Sequence, residues 1–141
     1  MKLKLTLVAL LALSVSAVSQ ARDDQHFFSI QEALNTPTAK QVLLPQVRLY
    51  FGKGSKGTVI ARGIVANKKT NAFNKSAKRA CQIAFLSAVK TFQKRALRSG
   101  ARKVTNLVSY YKKRPYRSTT KFECHDGTFV AGVALKGNIV R

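Results

Sequence analysis

Cys124-His125-Asp126 sets a thiol, an imidazole and a carboxylate side by side. Those are the groups of a Cys–His nucleophile, and His26 adds a second imidazole for an acid–base pair of the ribonuclease type. Just upstream, Lys112, Lys113, Arg114 and Arg117 surround Pro115 and Tyr116. Clustered cations beside an aromatic ring suit phosphates and a stacked base. A third pattern, Gly52-Lys53-Gly54-Ser55-Lys56-Gly57, spells GxGxxG.

Each pattern has a plainer reading. A dinucleotide site needs a helix directly behind its glycines and an acid about 20 residues on. Here a Val/Ile-rich run follows, and Lys75 and its neighbours are not acidic. The glycines therefore read as a turn between strands, with Lys53 and Lys56 still free to meet phosphates. Cys81, Cys124, His26 and His125 are too dispersed for a zinc site, and no metal or cofactor is expected. Gly127 makes His125-Asp126 look like a turn. Beyond the leading segment only Glu32, Glu123 and Asp126 are acidic, so a hydrolase has few tools. No catalytic residue is assigned and an enzyme is not expected. A small secreted nuclease dependent on His125 is the weakest of three functional readings.

The elements that would position these residues follow from local signals. Residues 1–21 have Lys2 and Lys4, an apolar run and a Ser19-Gln20-Ala21 end. This is the pattern of a cleavable signal peptide, and with no cysteine after the run there is no lipobox. The mature protein is thus expected to be periplasmic or secreted. Residues 22–45 read as an N-terminal helical arm with a flexible start. Ser29-Ile30-Gln31-Glu32 is a capping box, and Pro37 suits the first turn of a second short helix. Residues 46–141 read as one α+β domain. Alternation predicts strands over 47–51 and 58–66, followed by a polar connection over 67–74. Spacing of three and four predicts a long amphipathic helix over 75–99, closed by Gly100. A three-stranded antiparallel meander over 103–111, 118–124 and 128–135 completes the fold.

Cys81 lies on the inner stripe of that helix, among Ala77, Ala84 and Ala88. Cys124 shares a strand face with Phe122. The two cysteines point at each other in this arrangement, so a disulfide is expected in an oxidising compartment; two buried thiols are the alternative.

Twenty-six Lys and Arg against five Asp and Glu give a net charge of +21. Such an excess repels itself and points to a polyanionic partner: nucleic acid, lipopolysaccharide or anionic lipid. A lineage that makes basic exported proteins is the bland alternative. Two surfaces are candidates. One is the loop Lys112, Lys113, Arg114, Tyr116 and Arg117, with Lys53 and Lys56; its plain reading is a solvated loop whose tyrosines pack on the sheet. The other is the outer helix face, where Arg79, Lys90 and Lys94 stand among Ile83, Leu86 and Leu97. Its plain reading is packing beneath the N-terminal arm.

The segments SIQEALNTPTAK, VRLYFG, KRACQIAFLSAVKTFQKRA, GARKVTNLVSYYKK and CHDGTFVAGVALKGNIV resemble the small secreted bacterial proteins labelled excinuclease-ABC-like. More loosely, the fold is similar to YbjQ-like and Rcs-lipoprotein-like envelope domains. The resemblance implies an exported α+β domain and no DNA-repair ATPase, and the chain has no Walker motif. Two functional expectations from different classes follow. The first is a non-catalytic polyanion-binding protein. The second is an envelope structural or sensory module that binds another protein or a second copy of itself.

Overall fold

A computed structural model describes residues 22–141; the signal-peptide reading of residues 1–21 lies outside the described residues. Helices and a curled, mixed six-stranded sheet give the expected α+β class.

Strand β1 (Asp24–Ser29) comes first, where the sequence suggests a flexible start to a helical arm. It pairs antiparallel with β5 (Lys121–Asp126), Asp24 opposite Asp126 and Ser29 opposite Lys121. The correction has a physical reason. DDQHFF lacks β-branched residues and carries its ordering information in a partner about 100 residues away.

The helix caps are as expected. Ser29 Oγ accepts the Glu32 N–H at 3.1 Å and starts α1 (Ile30–Leu34). Thr36 Oγ1 accepts the Ala39 N–H at 3.2 Å and starts α2 (Pro37–Val42). Next come β2 (Arg48–Phe51) and β3 (Val59–Asn71). The latter runs through the segment 67–71 that reads as a polar connection, because its backbone stays paired with β6 (Val130–Val140) as far as Asn71 opposite Val130. Ser76 caps the long helix α3 (Ala77–Arg98), and Gly100 follows it at φ +66°, the left-handed conformation glycine tolerates.

Strand β4 (Lys103–Ser109) does not form a simple meander with β5 and β6. It pairs antiparallel with the C-terminal half of β6, and parallel with β2 on its other edge. Strand β5 pairs with the N-terminal end of β6, through His125 opposite Gly132 and Asp126 opposite Ala131. A strand of 11 residues is long enough to take both neighbours along one edge while β3 lines the other. Only the Ser109–Tyr116 bridge links β4 to the segment leading into β5.

One face of the sheet lies on α3. Phe85 stacks on Phe122 at 4.1 Å, and Phe51 and Phe92 extend this core. Cys81 and Cys124 are joined in a disulfide, with Cα atoms 5.8 Å apart. The small inner residues Ala80, Ala84 and Ala88 are fully buried, which lets helix and sheet approach closely. Helices α1 and α2 also pack against α3. The Gln93 side chain accepts the Leu44 N–H and donates to the carbonyls of Leu44 and Val47. Leu86 is buried to 1 % exposure, and Ile83 and Leu97 are half-buried. Of the aliphatic residues on the outer helix face, Leu86 belongs to the core and Leu97 packs against it.

Candidate polyanion-binding surface and the acidic corner

Pairing of β1 with β5 sorts their side chains onto two faces, since residues directly opposite each other share a face. Asp24, His26 and Phe28 fall on the α3 side with Asp126, Cys124 and Phe122. Gln25 and Phe27 fall on the other side with His125 and Glu123. His125-Asp126, which reads as a turn, is therefore strand. The arrival of β1 prolongs β5, and the turn falls at 127–129. The two histidines lie on opposite faces of this ribbon and cannot flank one substrate. The Cys124 sulfur is bonded to Cys81 and is not a nucleophile.

Four of the five acidic residues gather at this corner. On the inner face Arg22 bridges two of them, Nε to Asp24 Oδ2 at 2.8 Å and Nη2 to Asp126 Oδ2 at 2.9 Å. Asp24, His26 and Asp126 hold donor atoms within 4.8 Å of one another, a set that could hold a metal. The Arg22 guanidinium already supplies the positive charge there. His26 Nε2 lies 3.8 Å from Asp126 Oδ2 and makes no hydrogen bond among the described residues. On the outer face His125 sits between two carboxylates, Nδ1 3.1 Å from Asp23 and Nε2 2.7 Å from Glu123. Both ring nitrogens are in position to donate. Tyr111 covers the imidazole, ring centroids 3.4 Å apart and nearly parallel. Burial, and then the negative charges of Asp23 and Glu123, hold the Tyr111 hydroxyl above the ordinary phenol range, against the opposing pull of Arg114. The fifth acid, Glu32, meets Lys78 at 2.9 Å.

The loop from Tyr110 to Arg117 lies across the sheet face opposite α3, and its tyrosines pin it there. Tyr110 receives the Lys136 ammonium 4.7 Å from its centroid. Tyr111 takes His125. Tyr116 packs on Phe27 at 4.7 Å, and its backbone exchanges two hydrogen bonds with Ser109. The Tyr116 ring is therefore engaged on one face. Between these anchors Lys112, Lys113, Arg114 and Pro115 stand exposed, with Lys112 and Lys113 at φ +51° and +60°. Two consecutive left-handed lysines are uncommon; the tyrosines on either side hold them there.

This loop joins the glycine turn. Arg117 Nη1 donates to the Gly52 carbonyl at 3.0 Å. A Cβ on Gly52 would sit 2.8 Å from the Ser118 carbonyl oxygen, and its φ is +67°, so the close approach requires glycine. The Asn106 N–H holds the Lys53 carbonyl at 2.8 Å, and Lys103 Nζ donates to the Lys56 carbonyl. The 52–57 turn, with Lys53 and Lys56, and the 110–117 loop, with Lys112, Lys113, Arg114 and Arg117, thus adjoin through Arg117 and Ser118, and the two together are the candidate cationic ridge. Lys112 Nζ also lies 4.0 Å from Asp23. Arg79, Lys90 and Lys94 are not brought to it. They ride on α3, across the sheet, and Arg79 donates to Thr38 Oγ1 at 3.0 Å. No helix follows the GxGxxG turn; β3 does.

A groove of about 580 Å³ opens beside the corner, lined by Arg22, Asp23, Lys69, Tyr111, His125 and Phe129 among others. Of these, only His125 is singled out by the sequence; Arg22, Asp23, Lys69, Tyr111 and Phe129 are not. The scarcity of acids was an available signal: two pairs, at 23–24 and 123–126, are most of the supply, and a +21 chain places its few carboxylates where a cation needs them. Searches against protein-family models, curated proteins and solved structures return no match.

Proposed function

We infer that the protein is an exported, non-catalytic binder of polyanions, and that the ridge formed by the 52–57 turn and the 110–117 loop is its principal contact surface. One observation carries this reading: four of the five carboxylates are spent in one corner. Among the described residues only Arg22, Lys78 and Lys112 have a carboxylate within 4.0 Å. The other cations repel one another unless an external anion neutralises them. The ridge suits such an anion because its backbone is pinned before binding, so little order is lost on contact. The disulfide fits an oxidising compartment, and the resemblance to small secreted bacterial proteins agrees with export. Both nitrogens of His125 are taken by carboxylates, which favours a binding role over nuclease chemistry.

The test replaces Lys112, Lys113, Arg114 and Arg117 by Ser and follows anisotropy of labelled single-stranded DNA, duplex DNA and lipopolysaccharide across salt concentrations. Each lost phosphate contact flattens log affinity against log salt by about 0.9 for duplex and about 0.7 for single strands. The expected change is roughly 2–4 for duplex DNA. An unchanged slope in folded protein removes the ridge from consideration and passes the role to Arg79, Lys90 and Lys94. Retention on one envelope protein, insensitive to salt, would favour the protein-binding reading instead.

A further inference from the structure

The β3–α3 loop and the turn between β5 and β6 meet at one end of the sheet, where the Ala72 N–H donates to the Phe129 carbonyl at 2.8 Å. Each segment carries a phenylalanine out of the fold. Phe73 is 57 % exposed and Phe129 64 %, while Phe85, Phe92 and Phe122 are inaccessible to solvent or nearly so. The centroids of the two outer rings lie 6.1 Å apart and their planes 27° from parallel. Val130 beside them is also exposed. This apolar tip is braced from below. The Phe73 N–H donates to Asn71 Oδ1 at 2.8 Å, and Lys75 Nζ donates to the Asn71 carbonyl at 2.9 Å.

Cations flank the tip. Lys69 lines a shallow groove with Phe73, Phe129 and Val130, and no carboxylate lines it. Lys75 stands two residues from Phe73. Aromatic residues projecting from turns with lysines behind them match the chemistry of a lipid surface with anionic headgroups; the one acid in the adjoining groove that Lys69 and Phe129 also line, Asp23, has Arg22 beside it there. A nucleic-acid base fits less well. Val130 beside the rings gives the tip an aliphatic surface, which suits an acyl chain rather than a stacked base.

We propose that this tip docks the protein on an anionic lipid bilayer, with Phe73 and Phe129 entering the acyl boundary while Lys69 and Lys75 meet headgroup phosphates. The tip shares no residue with the cationic ridge, so either assignment can fail without the other.

The chain has no tryptophan, so Phe129→Trp makes a single reporter at the tip. The probes are vesicles of phosphatidylglycerol and phosphatidylcholine in equal parts, and vesicles of phosphatidylcholine alone. Emission should shift to the blue and be quenched by brominated acyl chains with the anionic vesicles, and do neither with the neutral ones. Phe73→Ser with Phe129→Ser should lower the vesicle partition coefficient by roughly tenfold per ring. Lys69→Ser with Lys75→Ser should weaken binding at low salt and flatten its salt dependence. All variants carry the same residues 1–21 as the parent, so that segment contributes equally throughout. Unchanged partition by the folded double-serine variant overturns the proposal. So does quenching of the Phe129→Trp reporter by single-stranded DNA with no response to vesicles.

Discussion

The acidic corner and the cationic ridge lie on neighbouring parts of one sheet and handle charge in opposite ways. At the corner every carboxylate has a cation or an imidazole within reach, and two of them, Glu123 and Asp126, are less than a tenth exposed. Along the ridge, cations stand without carboxylates; Lys112, at the boundary, is the exception. Charge at the corner is part of the fold, where an unmatched partner would be expensive. Charge on the ridge is solvated and adds little to stability, which leaves it available for something outside the protein. The same residue types thus carry different consequences according to burial.

Substitutions should separate the two regions by size of effect. The largest is beneath the corner, where Cys81 and Cys124 tie the inner face of β5 to α3. Replacing both by Ala, or reducing the bond, removes a constraint spanning 43 residues and should cost about 4 kcal/mol. Thermal unfolding should fall by on the order of 15 °C; a fall of only a few degrees would show that the core holds β5 without the bond. Next is Glu123→Ala, which strands a buried imidazole nitrogen and should cost about 2–3 kcal/mol by urea unfolding. Glu123→Gln keeps an acceptor and should recover part of that loss; if both variants cost the same, hydrogen bonding is not what holds the corner. The smallest stability effect belongs to the four-serine ridge variant. It should stay within about 0.5 kcal/mol of the parent while losing most of its salt-dependent affinity. A larger loss of stability would mean that the ridge, like the corner, is structural.

The helix boundaries were legible because each depends on neighbours in sequence: the Ser29 capping box, Pro37 in a first turn and Gly100 as the stop; only the start of α3, capped by Ser76 rather than beginning at Lys75, falls slightly later. The disulfide was legible because two periodicities converge on it, one from the helix stripe and one from strand alternation. Strand β1 was not, because Asp24-Gln25-His26 has no strand character of its own and gains it only beside β5. The polar residues 67–71 became strand for the same reason, under the pairing imposed by β6. The cationic ridge could be seen as two loops but not as one surface, since Gly52 and Ser118 touch only in the fold. Phe73 sits in the expected connection over 67–74 and Phe129 in the expected strand over 128–135, and nothing local says that the two meet.

The first described strand and the strand it pairs with also set an order of events. The Arg22–Asp126 contact spans 104 residues, and β1 has no other strand neighbour. A chain emerging from its N-terminus therefore exposes Asp23 and Asp24 long before β5 exists to receive them. Closing so long a loop comes late and slowly, after local helices and hairpins have formed. Until then the two aspartates are loose among a great excess of lysines and arginines, and the outer edge of β5, once made, stays bare. Completion of the acidic corner is thus a clock: it registers that the chain has arrived as far as β5.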